Sequence, residues 1–134
     1  MKYSICYVSS LSTGISENEV KSLLEYSEES NKSKNFTGFL LFSEGNFFQV
    51  LEGPEDEIDA LFNKIKNDTR HYDIMRIFKK HLPLADHDGY KSDFISEDKK
   101  MPGAIRKYMK HVTAKEPATR QIIKNMLQLF VDGD

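Results

Sequence analysis

Residues Asn35 to Gly53 constrain this chain more than any other stretch. They read Asn-Phe-Thr-Gly-Phe-Leu-Leu-Phe-Ser-Glu-Gly-Asn-Phe-Phe-Gln-Val-Leu-Glu-Gly, two strand-like runs around a Ser43-Glu44-Gly45-Asn46 turn, closed by Gly53-Pro54. Phe39 to Phe42 are apolar without a break, as are Phe47, Phe48, Val50 and Leu51. Strand side chains alternate between faces, so a hairpin that is apolar on both faces is a pair of central strands covered on both sides. Gln49 is the exception. It shares a face with Phe47 and Leu51, and an unpartnered buried amide costs about 1–3 kcal/mol, so a hydrogen-bonding partner is expected for it.

The rest of the chain supplies the cover. Lys2 to Ser9 alternates as a strand, with Tyr3, Ile5 and Tyr7 on one face and Ser4, Cys6 and Val8 on the other. A loop through Gly14 leads to a capping box, Ser16 with Glu19, which opens a helix whose inward stripe is Val20, Leu23, Leu24, Ser27 and Asn31. That stripe turns polar in its last turns, either because Ser and Asn cap a fraying end or because they face a polar ligand. After the hairpin, Pro54 and the acidic Glu55, Asp56 and Glu57 suit the start of a second helix, with Ile58, Leu61, Phe62 and Ile65 inward and an end at residues 67–71. Ile74 to Phe78, extendable to Leu84, reads as a fourth strand, and the turn-rich 85–96 segment ends in a short fifth. Two more helices are expected over Pro102 to Val112 and Pro117 to Phe130.

The order strand, helix, strand, strand, helix, strand describes an α+β ferredoxin-like sandwich, βαββαβ plus the short fifth strand. One sheet face carries the two crossover helices. The two C-terminal helices, or a second subunit, are expected on the other. The division expected is therefore 1–96 as the main domain and 97–134 as a helical extension packed on the sheet.

Composition narrows the function classes. At 134 residues with 39% hydrophobic content the chain fits one domain, and a net charge of −2 with no basic stripe argues against nucleic acid. No membrane-length apolar run or secretory segment is seen, and a single cysteine, Cys6, fits a reducing cytoplasm. Cys6 falls mid-strand as a small core residue, with nothing nearby to make it a reactive thiol. The histidines at 71, 81, 87 and 111 have no metal-ligand spacing, and Asp86-His87-Asp88 reads as a solvated turn. No phosphate loop, nucleophile elbow or hydrolytic triad is legible.

What remains is a polar set among apolar residues: Tyr7, Ser27, Asn31 and Gln49. In a ferredoxin-like sandwich the first and third strands are central neighbours, which puts Tyr7 beside Gln49 under the two helices. A groove walled by Leu24, Ile65 and Phe47 there suits a flat, hydrogen-bonding ligand. A Tyr–Gln hydrogen bond inside an ordinary core satisfies both groups as well, and spacing alone leaves both readings open.

A specific set of residues resembles the BLUF domain, the flavin-using blue-light sensor. The set is Tyr7-Val8-Ser9, Asn31 with Phe36-Thr37-Gly38, the run Gly45 to Gly53, and Asp68-Thr69-Arg70-His71, in the family's order from residue 2 to about 95. The resemblance implies a non-covalently bound flavin between the two helices, FAD first, with FMN or riboflavin as alternatives. It sets Tyr7 and Gln49 at one edge of the ring system and Asn31 at the pyrimidine side. Ser27 and Ser30 line the first helix's wall, Phe47 and Ile65 pack nearby, and Asp68, Arg70 and His71 contact the cofactor from the end of the second helix. It implies a photocycle in which Tyr7 gives an electron and then a proton, and the Gln49 amide is left rotated or tautomerised.

Output is expected through the strand near Asp93 to Ser96 and the C-terminal helices, to an unidentified downstream protein, with a homo-oligomer expected. Because the chain ends soon after those helices, a stand-alone sensor rather than an enzyme is expected. Two departures are visible. Many members carry a Trp and a Met on the fifth strand beside the glutamine; this chain has no Trp, and Phe94 can take one of those places. A histidine common before the flavin-binding Asn is Ser30 here. The alternatives are a light-insensitive ferredoxin-like module that binds flavin or a protein, and an acylphosphatase-like hydrolase, which lacks its arginine–asparagine phosphate site.

Overall fold

The computed structural model describes residues 2–43, 45–82 and 90–95, together with Gln121 and Asn125. Its elements are β1 (Lys2–Leu11), α1 (Glu17–Ser33), β2 (Thr37–Ser43), β3 (Asn46–Gly53), α2 (Glu55–Lys66), β4 (His71–Leu82) and β5 (Tyr90–Ile95). The sheet order is β4-β1-β3-β2-β5. The first four strands form the antiparallel ferredoxin-like sheet, and β5 adds in parallel to β2. Both hairpin strands are therefore interior, as their two-sided apolar sequence requires.

Alternation along the strands splits the sheet into two buried faces. Tyr3, Ile5, Tyr7, Leu40, Phe42, Phe47 and Leu51 join Val20 and Leu24 of α1 and Ile58 and Phe62 of α2 in one core. On the opposite face Cys6, Phe39, Leu41, Phe48 and Val50 are equally buried. The predicted helices at 102–112 and 117–130 lie outside the described residues, except that Gln121 and Asn125 are helical and joined by a hydrogen bond of 2.9 Å. The predicted 97–134 extension and the turn containing Asp86, His87 and Asp88 lie outside them as well.

Local chemistry explains the joints. The Ser16 hydroxyl oxygen accepts from the Glu19 backbone N–H at 3.2 Å, as the capping box requires. The helix ends in a Schellman motif: Asn35 takes the left-handed conformation (φ 60°), its N–H reaches Lys32 O at 3.0 Å, and Phe36 N–H reaches Asn31 O at 2.9 Å. Gly38 has φ 127°, and a Cβ there would stand 2.0 Å from Val50 O, so the Thr-Gly pair that opens β2 admits no side chain at its second position.

Two strands are longer than expected. β1 continues past Ser9 to Leu11, whose N–H donates to Gly45 O at 2.8 Å. β4 begins at His71 rather than Ile74, so His71 belongs to a strand and not to the end of α2. β4 is an edge strand with exposed Tyr72, Asp73, Met75 and Arg76, and such a strand carries little apolar periodicity to read. Its register slips twice against β1, between Cys6 and Tyr7 and between Val8 and Ser10, which are bulges of the kind that re-aim side chains beside a site.

Candidate functional site

Gln49 and Tyr7 are direct cross-strand partners on β3 and β1, at the centre of the helix-covered face. The Tyr7 hydroxyl donates to Gln49 Oε1, and Gln49 Nε2 donates to the Tyr90 hydroxyl. All three residues are buried. Asn31 on α1 bears on the same Tyr90 phenol and favours its charged form. A primary amide has two N–H donors and two acceptor lone pairs, so Gln49 keeps one of each to offer a ligand. Burial, and next to it the neighbouring Tyr90, pushes the Tyr7 phenol well above its ordinary range. Burial also pushes the Tyr90 phenol up. Both phenols are protonated at neutral pH.

Tyr7 and Gln49 form the floor of an open cleft between α1 and α2. From the first helix, Ser27, Ser30 and Asn31 line it. The Schellman motif fixes the last turn, so Asn31 faces inward and is only 4% exposed. Tyr7, Phe47 and Gln49 line the cleft from the sheet, Ile65 from α2, and Asp68, Arg70 and His71 from the connection that follows it and the start of β4. Of the residues the sequence points to, Leu24 alone falls outside this lining: it lies in the core beneath, and its neighbour Leu23 forms the wall.

His71 is a framing residue. Its Nε2 lies 2.5 Å from Ile65 O and therefore donates to it, while Nδ1 at 2.8 Å accepts from the Ser9 hydroxyl. With both nitrogens occupied, the ring meets Tyr7 and Phe47 edge-on, with centroids at 6.4 and 6.2 Å. Asp68 accepts from Arg70 Nε at 2.9 Å and from Nη2 at 2.5 Å, and also from the Arg70 backbone N–H. The Arg70 side chain holds the Asp68 carboxyl below its ordinary value. This pair sits half in solvent at the cleft mouth, near the exposed Tyr26.

Sequence reasoning missed Tyr90, Leu23, Tyr26, Leu40 and Leu61. Tyr90 pairs with Gly38 in the parallel β2–β5 ladder. Its hydroxyl accepts from Gln49 Nε2, and the Phe94 side chain, expected in this region, lies outside those described. The position of Tyr90 depends on a pairing between residues far apart in the chain, which no local pattern carries. Cys6 is buried on the other face, where burial pushes its thiol up. Among the described residues no cluster of His, Cys, Asp and Glu suits a metal ion, and no helix is long and apolar enough to cross a membrane.

The cleft fits a flat ring system with hydrogen-bonding edges. Leu23, Leu61, Ile65 and Phe47 give it apolar sides, Ser27 and Ser30 add hydroxyls on the α1 wall, and the buried amides of Gln49 in the floor and Asn31 on α1 supply the polar groups.

Comparisons with known proteins agree. Residues 3–90 match the family model described as BLUF, sensors of blue-light using FAD. The blue light- and temperature-regulated antirepressor BluF of Escherichia coli (strain K12) is 32% identical over 65 residues, covering 48% of this chain and 16% of that protein. Photoactivated adenylate cyclase subunit alpha of Euglena gracilis is 35% identical over 74 residues, covering 55% of this chain and 7% of that protein. The chain thus matches only a small part of the length of either relative. Among solved structures, BlrP1 BLUF superposes with a TM-score of 0.78 at 24% identity, covering 99% of this chain and 92% of that one.

Proposed function

From the premise that this chain belongs to the BLUF family of flavin-using blue-light sensors, we propose that its own photocycle runs on Tyr7 and Gln49. The observation that carries this reading is the Gln49 amide, held by a buried phenol yet keeping a free donor and acceptor for the cleft. In this reading FAD lies between α1 and α2. Asn31, Ser27 and Ser30 would hold it from the first helix, Phe47 and Ile65 would pack on it, and Asp68, Arg70 and His71 would meet it from the connection after α2 and the start of β4. FMN or riboflavin would meet the same ring-binding residues.

Bound flavin supplies the blue-light absorption and, once excited, the electron-accepting power. The protein's part follows from its hydrogen bonds. Tyr7 in the ground state holds its proton firmly, because burial disfavours the phenolate. Loss of an electron makes a phenol strongly acidic, and the proton has a path already in place to Gln49 Oε1. When electron and proton return to Tyr7, the amide is left rotated or tautomerised, with its donor and acceptor ends exchanged. An amide can do this because it carries both functions on one planar group.

The chain acts as a sensor rather than an enzyme, with output through β5 and the 97–134 segment to a partner protein, in a cytoplasmic, oligomeric setting. The antirepressor and cyclase relatives supply the precedent for effectors under light control. The test is an absorption spectrum of the purified protein in the dark and after blue light. A yellow protein whose band moves reversibly to the red supports the reading. A protein that stays colourless in excess flavin overturns it, and a yellow protein with no shift leaves a light-insensitive flavin binder.

A further inference from the structure

We propose that Tyr90 is a positioning residue for the Gln49 switch, its hydroxyl satisfying the amide in either orientation. The inference rests on the Tyr7–Gln49 reading above and concerns what stabilises the two ends of that switch. In the orientation observed, Tyr7 donates to Gln49 Oε1 and Tyr90 accepts from Gln49 Nε2. A half-turn of the amide exchanges its oxygen and nitrogen. The NH₂ group then faces Tyr7, whose oxygen can accept, and the carbonyl faces Tyr90, whose O–H can donate. A hydroxyl does both, whereas an indole N–H only donates and a thioether only accepts. Each orientation keeps one hydrogen bond between the amide and each phenol, so Tyr90 holds its end of the amide before and after the half-turn.

Three observations support this assignment. Tyr90 is fully buried, so water cannot substitute for its hydroxyl. Asn31, buried on α1 and lining the cleft, bears on the same phenol, which relates the switch to the helix that walls the cleft. Tyr90 stands in register with Gly38 and Gln49 with Leu40 on the intervening strand, so the phenol reaches across β2 to the amide. An aromatic ring needed only for packing requires no hydroxyl directed at the glutamine.

Tyr90→Phe keeps the ring and removes only the hydroxyl. Hydrogen exchange of the Gln49 side-chain amide, followed by NMR on ¹⁵N-labelled protein in the dark, is expected to accelerate at least about tenfold, with or without flavin. An unchanged exchange rate overturns the proposal whether or not the protein senses light. In flavin-loaded protein the thermal return after blue light is expected to be about five- to tenfold faster, since turning the amide back breaks one bond fewer; tenfold corresponds to about 1.4 kcal/mol. A return at the wild-type rate overturns the proposal while leaving the sensor reading intact. A wild-type protein without a reversible shift defeats the sensor reading, and the exchange measurement still decides the role of Tyr90.

Discussion

Phe48 and Gln49 are neighbours on β3 and both are buried, yet they face opposite sides of the sheet and serve opposite ends. The side of Phe48, with Phe39, Leu41, Val50 and Cys6, is apolar along its centre, where Phe39 and Phe48 pack ring on ring at 5.6 Å. It is polar at one end, where buried Ser4 is in register with Glu52 and the Thr37 hydroxyl donates to the Glu52 carboxylate at 2.7 Å. The side of Gln49 holds a connected line of polar groups, Tyr7, Gln49 and Tyr90, beneath a cleft that Asn31 also lines. Burial alone therefore does not mark a site in this protein. What marks it is an internally paired buried amide that opens onto a cleft with a donor and an acceptor left over. The first face supplies stability, and the second spends part of it on a group that can change its bonding.

That contrast breaks most sharply under large-to-small substitution. Phe48→Ala should lower unfolding free energy by about 3–5 kcal/mol, the usual loss for a buried phenylalanine. Because Phe48 faces away from the cleft, the band position of bound flavin should not move. Denaturant unfolding and an absorption spectrum of the same sample check both halves. A shifted band would mean that the two faces are coupled.

Tyr7→Phe probes the other side with a smaller energy. It leaves Gln49 Oε1 without its donor at a buried position, a loss of about 1–3 kcal/mol. The light-induced shift should vanish entirely while flavin is retained. A surviving shift would assign the electron and proton to another residue.

The smallest effect belongs to the cleft mouth. The folded Asp68 carboxyl titrates below its ordinary value of 3.8, chiefly through the Arg70 side chain. Its contribution to stability is therefore complete above the ordinary carboxylate range and fades as pH falls through the lower folded value. The pair is partly exposed, so the gain is screened by solvent and should stay under about 0.5 kcal/mol. Wild type and Asp68→Asn should differ slightly at neutral pH and converge in acid. A gap that widens on acidification would contradict the assignment.

Much of this was legible in the sequence because it is periodic or local. The period of two put Gln49 on the face of Phe47 and Leu51, the capping box placed the start of α1, and strand order brought Tyr7 to Gln49. The rest depended on what has no local signature. Adjacent helix residues differ by about 100°, so the apolar stripe did not say that Leu23 rather than Leu24 faces the cleft. β1 and β4 run on through serines and charged residues because backbone pairing, not side-chain pattern, extends them. Tyr90 reaches the site through parallel pairing with Gly38, a contact between distant parts of the chain.

The central claim is that the spare bonding capacity of one buried amide is what light changes. The light-minus-dark absorption spectrum of Gln49→Ala, measured on flavin-loaded protein beside wild type, tests it most directly. A bound flavin with a reversible red shift in wild type and none in the variant is the predicted result. A red shift of ordinary size in Gln49→Ala would contradict it.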